Sequence, residues 1–319
     1  MGIKPPDSQT YRYPLMNPFE ITILGCGSAL PTTLHNPSSQ LVRLNQKLFM
    51  IDCGEGTQLQ MRKFKTHIGK LHSIFISHLH GDHVFGLPGL ISTLDLLGRT
   101  GDLNIYAPKE IETFFKPILS YFNPHLSFKI NIIALHPDKF ETIFENNSIR
   151  ISSFPLKHRI ATCGFLFEEK ERPLHIKREM IDFYHIPITH IKAIKEGEDF
   201  YLADGTLIPN HTLTFPAAPP RKYAYCSDTA FNPEMISYIE GVDVLYHEAT
   251  FAENETARAH ETYHSTAREA AEIAKAAHVK KLIVGHFSSR YQENDILLNE
   301  AMSVFTNTEL ANEGLIIQL

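Results

Sequence analysis

The sequence predicts an α/β protein in which sheets are layered on each other and helices cover their outer faces. Its 319 residues, 43% hydrophobic and 21% charged, are ordinary for a soluble globular chain of one or two domains. Short β-rich runs recur along the whole chain, with helical segments between them and no long apolar βαβ rhythm. This pattern favours layered sheets over a parallel doubly wound fold.

The elements follow in order along the chain. Three β-rich runs, 19–24, 40–44 and 48–51, come first, and a helix is expected over 55–65. The strand at 73–76 leads directly into polar residues, which predicts a site at the end of that strand. Further strands are expected at 103–106, 130–135, 149–154, 162–167, 223–226, 242–246, 282–284 and 315–319, and further helices near 88–97, 109–121, 265–277 and 294–305.

Charge and cysteine content limit the partners and the compartment. Thirty Lys and Arg against 36 Asp and Glu give a net charge of −6, so no global positive field attracts nucleic acid or an anionic membrane. The N-terminus has no secretory h-region, and no apolar run is long enough to span a membrane. We therefore expect a cytoplasmic protein without a membrane partner and with four reduced thiols, at Cys26, Cys53, Cys163 and Cys226.

The strongest chemical signal is the string His78-Leu79-His80-Gly81-Asp82-His83, which offers four metal ligands within six residues. Imidazole and carboxylate suit zinc, with manganese or iron as poorer occupants. The alternative is a polar loop in which these side chains are close by chance. Dense His and Asp clusters after a strand favour metal binding.

Three further ligand-type residues follow predicted strands. His158 follows FPLK, Asp228 follows YAYCS and His286 follows KLIVG. A single histidine among 18 is more often structural or solvated than a ligand. Together, however, the three positions are consistent with chain excursions that return to one edge of the fold.

With HxHxDH followed by His, Asp and His, the chain resembles a metallo-β-lactamase-fold hydrolase, and more specifically the ribonuclease Z family of tRNA 3′-processing endoribonucleases. LGCGSALPT resembles that family's opening motif, DCGEGTQ its next segment, and YCSDT its GDT segment. LYHEATF, YHSTAREAA and GHFSSRY resemble its HEAT, HST and HFSxRY motifs. The resemblance extends over nearly the whole chain.

The resemblance implies a four-layer αββα sandwich with an inserted arm and a dinuclear metal site, holding two Zn²⁺ per subunit with Mn²⁺ as an alternative. Asp228 would bridge the two ions, and Asp82 would also orient the attacking water. The first ion would be held by His78, His80 and His158, and the second by Asp82, His83 and His286.

The resemblance further assigns the proton donor for the leaving 3′-oxygen to His264, polarised by Glu248. Two simpler interpretations stay open. The His-Ser-Thr segment stands before a strong helix and could act only as its cap, with an oxygen from Ser265 or Thr266. Glu248 could be a solvated carboxylate at a strand end. Ser265 and the neighbouring amides are candidate phosphate contacts, and Ser288 and Arg290 are candidates for phosphate or structural contacts.

One domain over 1–319 is expected, with residues 169–216 inserted as a tRNA-binding arm. The family's Gly-Pro tip is absent there, and the segment carries six Lys or Arg against eight Asp or Glu, a net charge of −2. That balance is poor for a uniform clamp on an RNA backbone. The partners implied are precursor tRNA and a second copy of the chain in a homodimer.

Two positions depart from the family's opening motif: Cys26 stands where Thr is common and His35 where Arg is common. Neither is an expected ligand. The expected reaction removes the 3′ trailer after the discriminator base and leaves a tRNA 3′-hydroxyl and a 5′-phosphorylated trailer. The alternatives are a small phosphodiesterase or a glyoxalase II-like thioesterase of the same fold, and a metal-stabilised RNA-binding module without catalysis.

Overall fold

A computed structural model describes residues 17–319 of the chain. The N-terminal stretch, for which the sequence predicted no targeting signal, lies outside these described residues. No helix in the described part is long and apolar enough to cross a membrane.

The strands of the described chain form two large sheets and two small ones. In chain order they are β1 (Phe19–Gly25), β2 (Ser39–Leu44), β3 (Lys47–Ile51), β4 (Leu71–Phe75), β5 (Leu103–Pro108), β6 (Ile130–Leu135), β7 (Glu141–Glu145), β8 (Ile149–Pro155), β9 (Cys163–Glu169), β10 (His175–Ile176), β11 (Phe200–Tyr201), β12 (Leu207–Ile208), β13 (Thr214–Phe215), β14 (Lys222–Cys226), β15 (Val244–Glu248), β16 (Lys281–Gly285), β17 (Thr308–Leu310) and β18 (Ile316–Gln318).

The helices of the described chain are mostly short. They are α1 (Thr57–Lys63), α2 (Gly81–Val84), α3 (Leu87–Leu96), α4 (Ile111–Phe122), α5 (Arg178–Phe183), α6 (Ile188–Lys195), α7 (Asn210–Leu213), α8 (Ile236–Ile239), α9 (Thr256–Thr262), α10 (Ala267–Ala276) and α11 (Asp295–Val304), with 3₁₀ turns at Ile68–Lys70, Pro233–Met235 and Glu253–Glu255.

The first large sheet has the order β18-β1-β2-β3-β4-β5-β6, and the second has the order β17-β16-β15-β14-β9-β8-β7. Strands β3 to β6 are parallel to one another, and so are β14 to β17. Parallel neighbours bring their carboxyl ends to one edge of a sheet. Residues that follow β4, β14, β15 and β16 therefore collect at such edges.

The sheets pack face to face, and helices cover them. Buried side chains of both sheets share one apolar cluster, in which Phe49 and Phe75 of the first sheet contact Phe167 of the second. A separate cluster joins the outer face of the first sheet to α3 and α4. Helix α10 buries its alanine-rich face against β15 and β16. These layers form the predicted αββα sandwich.

Residues 169–220 form a compact unit of their own. Its small core contains Met180, Ile186, Ile194 and Leu213, and it includes α5 to α7 and the strand pairs β10–β13 and β11–β12. The interpretation of residues 169–216 as a tRNA-binding arm stays a prediction.

Most predicted elements lie where the sequence pattern put them, within two residues at their ends. One difference bears on the site. The strand expected at 242–246 is formed by Val244–Glu248, because Val242 makes a turn bond to the Ile239 carbonyl. Glu248 is therefore the fully buried last residue of a strand, and not a solvated strand-end carboxylate.

The segment that leads into α3 packs directly on the loop after β3. A Cβ atom added to Gly86 would overlap the Gly54 carbonyl oxygen and lie 2.8 Å from the Cys53 carbonyl oxygen. We expect Gly86→Ala to lower the free energy of unfolding by about 1–3 kcal/mol because backbone cannot yield as a side chain can. Denaturant titration measures this. Gly69→Ala is the control, since nothing lies within 4 Å of its Cβ, and equal stability losses in both variants would contradict the packing explanation.

Candidate metal centre

The seven predicted ligands come from loops and strand ends at one edge of the sandwich. His78 and His80 follow β4, and Asp82 and His83 lie on the short helix α2. The three others follow β8, β14 and β16; they are His158, Asp228 and His286.

Three imidazoles and one carboxylate oxygen form a first group. His80 Nδ1 lies 3.0 Å from His78 Nε2 and 3.3 Å from His158 Nε2. Asp228 Oδ2 lies 3.6 Å from His78 Nε2 and 3.8 Å from His158 Nε2. These four side chains place their ligand atoms within 4.8 Å of one another.

A second group stands on the other side of Asp228. Asp82 Oδ2 lies 3.4 Å from His83 Nε2 and 3.6 Å from His286 Nε2. The other oxygen of Asp228, Oδ1, lies 3.3 Å from His83 Nε2 and 3.2 Å from His286 Nε2. Asp228 thus gives one oxygen to each group, as a bridging carboxylate requires.

Contacts on the outer side of the rings fix which nitrogen carries a proton. His158 Nδ1 lies 2.9 Å from the Tyr263 carbonyl oxygen, and His83 Nδ1 lies 2.8 Å from Asp52 Oδ2. A carbonyl and a carboxylate only accept, so both Nδ1 atoms donate. In the neutral form of each imidazole, the inward Nε2 atom is then left with a lone pair.

Hydroxyl groups orient two more rings. His78 Nδ1 lies 3.0 Å from Ser77 Oγ, and Ser77 gives its own proton to the Asp52 carboxylate. His286 Nδ1 lies 3.0 Å from Thr250 Oγ1, which donates to Glu248 Oε2 over 2.5 Å. Because each hydroxyl donates its proton to a carboxylate, its oxygen accepts a hydrogen bond from Nδ1 of the neighbouring imidazole. The inward Nε2 atom of neutral His78 and of neutral His286 then carries a lone pair.

The residues present fit a pair of metal ions. His83 Nε2 and His286 Nε2 are buried and have no hydrogen-bond partner within residues 17–319. The separations of 3.0–3.8 Å between ligand atoms bracket the edge of about 3.4 Å that a tetrahedron with ~2.1 Å bonds has. Bare nitrogens and carboxylates held at such separations repel one another unless a cation lies between them.

The charge states of Asp228 and His78 also suit a bound metal ion. Burial raises the pKa of the Asp228 carboxyl, but the charges of His286 and His83 outweigh it and hold that pKa well below its usual value. Burial lowers the pKa of His78. At His83 burial also lowers the pKa, but the facing carboxylates, Asp82 first, raise it well above the usual value. A proton on His83 therefore competes with a metal, and metal binding should release it.

Asp52 is a site residue that ligand spacing did not reveal. Its carboxylate is fully buried and accepts from His83 Nδ1, the Ser77 amide, the Ser77 hydroxyl and the Tyr225 hydroxyl, all within 2.9 Å. The signal was its position in DCGEGTQ, the segment that resembles the ribonuclease Z family.

His264 stands beside the second group. Its Nδ1 lies 2.8 Å from Glu248 Oε1, and its ring stacks on His286 with 5.5 Å between centroids. Burial lowers the pKa of His264, but the charge and hydrogen bond of Glu248 outweigh it and raise the pKa to about 9. The neighbouring Thr266, not Ser265, caps α10, in a capping box with Glu269.

Two of the candidate phosphate contacts are engaged elsewhere. The Ser265 hydroxyl is buried and donates to the Thr229 carbonyl oxygen, so its side chain is not available to a phosphate. Arg290 pairs with Glu255 at 2.9 Å and donates to Ser288 Oγ at 3.3 Å. The hypothesis of a phosphate contact is therefore wrong for the Ser265 hydroxyl. For Ser288 and Arg290 the structure shows contacts of the structural kind, which was the other interpretation left open.

An open cleft of 580 Å³ leads to the two groups, and Asp82, Asp228, His264 and other site residues line it. Phe85, 68% exposed, and Arg159 stand at the same cleft. The arrangement offers two adjacent cation positions and a pair formed by a half-buried His264 and a buried Glu248 at the floor of an open cleft.

Comparison with solved structures defines the class of protein. A metallo-β-lactamase-fold protein of Bacillus subtilis matches with a TM-score of 0.67 and 20% identity, covering 95% of this chain and 100% of that one. The short form of human tRNase Z matches with a TM-score of 0.67 and 26% identity, covering 93% of this chain and 98% of that one. The sandwich is that of the metallo-β-lactamase fold.

Curated relatives are closer. The ribonuclease Z of Bacteroides thetaiotaomicron is 54% identical over 95% of this chain and 96% of its own length. The ribonuclease Z of Parabacteroides distasonis is 55% identical over 94% of this chain and 99% of its own length. The family model described as Anti-Pycsar protein Apyc1 matches residues 19–309. The chain belongs to the ribonuclease Z family, and it also falls in the sequence family that this model describes.

The contacts of Asp52 generate a test. Asp52→Asn keeps the shape of the side chain but removes the charge that holds the Nδ1 proton of His83. We expect the affinity for the metal bound by His83 to fall about 10–100-fold, as measured by competition with a chromophoric chelator.

Asp95→Asn is the matched control for this test. Its carboxylate also accepts from the amide and the hydroxyl of one serine, Ser127, but Asp95 is only half-buried, whereas Asp52 is fully buried. If Asp52→Asn bound metal as tightly as Asp95→Asn does, Asp52 would not orient His83.

Proposed function

We propose that the protein is a metal-dependent endoribonuclease that removes the 3′ trailer from precursor tRNA, cutting after the discriminator base to leave a tRNA 3′-hydroxyl and a 5′-phosphorylated trailer. The observation that carries this proposal is the bridged pair of ligand groups with His264 and Glu248 beside it. Full-length relatives named ribonuclease Z support the substrate class.

We assign two Zn²⁺ per subunit to the two groups, one held by His78, His80 and His158 and the other by Asp82, His83 and His286, with Asp228 between them. Mn²⁺ is the alternative occupant, because histidine and carboxylate ligands accept both. When bound, such a pair lowers the pKa of water towards neutrality and neutralises charge on a phosphate.

Asp82 is suited to hold and orient the attacking water. Its carboxylate lines the cleft, and Oδ2 accepts the Ala29 amide proton at 2.8 Å. That bond holds the Asp82 carboxylate in place at the wall of the cleft. Asp82 can therefore accept a proton from a nucleophile that approaches the scissile phosphorus.

His264 is suited to protonate the leaving 3′-oxygen. Glu248 is buried and accepts from His264 Nδ1 and from the Thr229 amide, so the imidazole turns Nε2 away from the carboxylate. Part of the ring is exposed at the cleft. Glu248 is a positioning residue in this scheme, because it acts through His264.

The mouth of the cleft suits RNA. The exposed Phe85 ring offers a stacking platform for a base, and Arg159 offers a planar cation for a phosphate. We assign residues 169–216 as the arm that binds tRNA, and their separate small core supports an independent substrate-binding element. Because the arm's net charge is −2, shape recognition suits it better than a uniform electrostatic clamp.

We further propose a cytoplasmic homodimer. All four cysteines are buried and unpaired, as is usual in a reducing compartment. Leu96, Tyr121 and Phe122 are 87%, 80% and 70% exposed on neighbouring helices α3 and α4, an apolar surface that a second copy would cover.

The dimer is tested by light scattering during size-exclusion chromatography. The wild-type mass should be twice 36.2 kDa, and Phe122→Glu should shift it towards one chain, because a charge would be buried in the interface. Phe140→Glu, at another exposed aromatic position, is the control. A monomeric wild type would contradict the proposal.

The reaction is tested by single-turnover cleavage of a 5′-labelled precursor tRNA with zinc-loaded protein. We expect one cut after the discriminator base, no detectable cut with Asp82→Ala, and a rate about 10²–10⁴-fold lower with His264→Ala. His278→Ala is the matched control, since His278 Nδ1 lies 2.9 Å from Glu240 Oε1 in an exposed pair of the same kind.

Two outcomes would overturn parts of this scheme. Unchanged cleavage by Asp82→Ala would remove the role of Asp82. Absence of tRNA cleavage together with rapid hydrolysis of bis-p-nitrophenyl phosphate would leave the metal centre in place but replace the tRNA assignment with a small-substrate phosphodiesterase.

A further inference from the structure

A second cluster of ligand-type side chains lies outside the centre described above. Cys26 follows β1, His35 lies in the loop that leads to β2, and Glu313 precedes β18. The ligand atoms of these three residues lie within 4.8 Å of one another.

The spacing within the cluster is that of ligands around one small cation. Cys26 Sγ lies 3.4 Å from His35 Nδ1, and Nδ1 lies 3.1 Å from Glu313 Oε2. A tetrahedral zinc ion with bonds of ~2.3 Å to sulfur and ~2.1 Å to nitrogen and oxygen separates such atoms by about 3.6 and 3.4 Å. The three ligand atoms would therefore need to move apart by only a few tenths of an ångström to accommodate the ion.

On each of the three residues, one ligand atom faces the other two. The Asn36 amide donates to Glu313 Oε1 at 2.7 Å, so Oε2 is the oxygen turned to the cluster. The outer nitrogen of His35, Nε2, lies 3.0 Å from the Asn294 side-chain amide. Asn294 Oδ1, in contrast, is buried and has no hydrogen-bond partner in the part of the chain described.

Metal binding would satisfy that oxygen. If His35 binds a cation through Nδ1, its proton moves to Nε2 and requires an acceptor. Turning over the Asn294 amide, whose nitrogen and oxygen are interchangeable in shape, places Oδ1 opposite Nε2. The ligating histidine would then donate its outer proton to an amide oxygen, as metal-bound histidines do.

Charge balance favours a dication. Burial, and then the charge of Glu313, raise the pKa of the Cys26 thiol well above its usual value, so the sulfur would become a thiolate only on binding a cation. That thiolate, the Glu313 carboxylate and neutral His35 would then carry two negative charges, which Zn²⁺ would neutralise. The sulfur is fully buried, and only loose contacts surround it, including the Ala311 carbonyl oxygen at 3.5 Å. Side-chain exposures of 14% at His35 and 10% at Glu313 give a water access to the fourth position.

We propose that Cys26, His35 and Glu313 bind one zinc ion at a third, structural site. The site would fasten the loop 26–38 to the turn before β18. That loop forms part of the cleft wall, because the Ser28 amide donates to the Phe287 carbonyl oxygen and the Ala29 amide donates to Asp82. The third ion takes no part in the reaction and stabilises the loop that positions Asp82.

Cobalt substitution tests the proposal without relying on activity. The two groups of the main centre contain no sulfur, so a thiolate-to-cobalt charge-transfer band in the near ultraviolet can arise only from a cysteine ligand. We expect the Co²⁺-loaded wild-type protein to show this band and Cys26→Ala to lose it. Elemental analysis of the zinc-loaded proteins should show one equivalent less per chain in Cys26→Ala.

Cys163→Ala is the matched control, since Cys163 is equally buried and unpaired. It should keep both the band and the zinc content. Glu313→Gln, which keeps the Asn36 bond, should weaken the band and serves if Cys26→Ala does not fold. Absence of the band in the wild type, or its persistence in Cys26→Ala, would overturn the site and leave a hydrogen-bonded cluster. Neither result depends on whether tRNA is cleaved.

Discussion

The structure depends on one buried charge, the Asp52 carboxylate. It lies at the end of a first-sheet strand and accepts four hydrogen bonds, from His83, from the Ser77 amide and hydroxyl, and from Tyr225 in the second sheet. A buried carboxylate is tolerated only when its oxygens are so satisfied. The same bonds therefore join the two sheets at their rim and aim His83 at the centre.

Three other histidines of the centre are oriented in the same way, by an acceptor on the outer side of each ring. Outer acceptors hold the Nδ1 protons of His78, His158 and His286, so the bare nitrogens converge around the two oxygens of Asp228. His286 adopts a positive φ of 61° to reach its position, a conformation that costs a non-glycine residue energy. Such strain at a functional residue persists only where the surrounding contacts enforce it.

Local patterns, namely strand-length apolar runs with polar residues directly after them, predicted layered sheets and the seven candidate ligands. The αββα order of the layers and the assignment of those ligands to two ions came from the resemblance to the ribonuclease Z family. The sequence did not predict the role of Asp52, because that role depends on Tyr225, 173 residues away. It also did not identify the cluster of Cys26, His35 and Glu313, because Glu313 is 278 residues away from His35 in the sequence. Helix α9 and strand β17 were missed because short segments lack a clear period, and the Ser265 hydroxyl was misjudged because its acceptor, the Thr229 carbonyl, comes from a distant strand end.

The central claim is that Asp228 would give one oxygen to each of two bound cations. Crystals of the zinc-loaded protein, with anomalous data collected on both sides of the zinc edge, test it most directly. We predict two peaks at this rim, one among His78, His80 and His158 and the other among Asp82, His83 and His286, with one Asp228 oxygen on each. A single peak, or two peaks that share no oxygen-bearing residue, would contradict the claim.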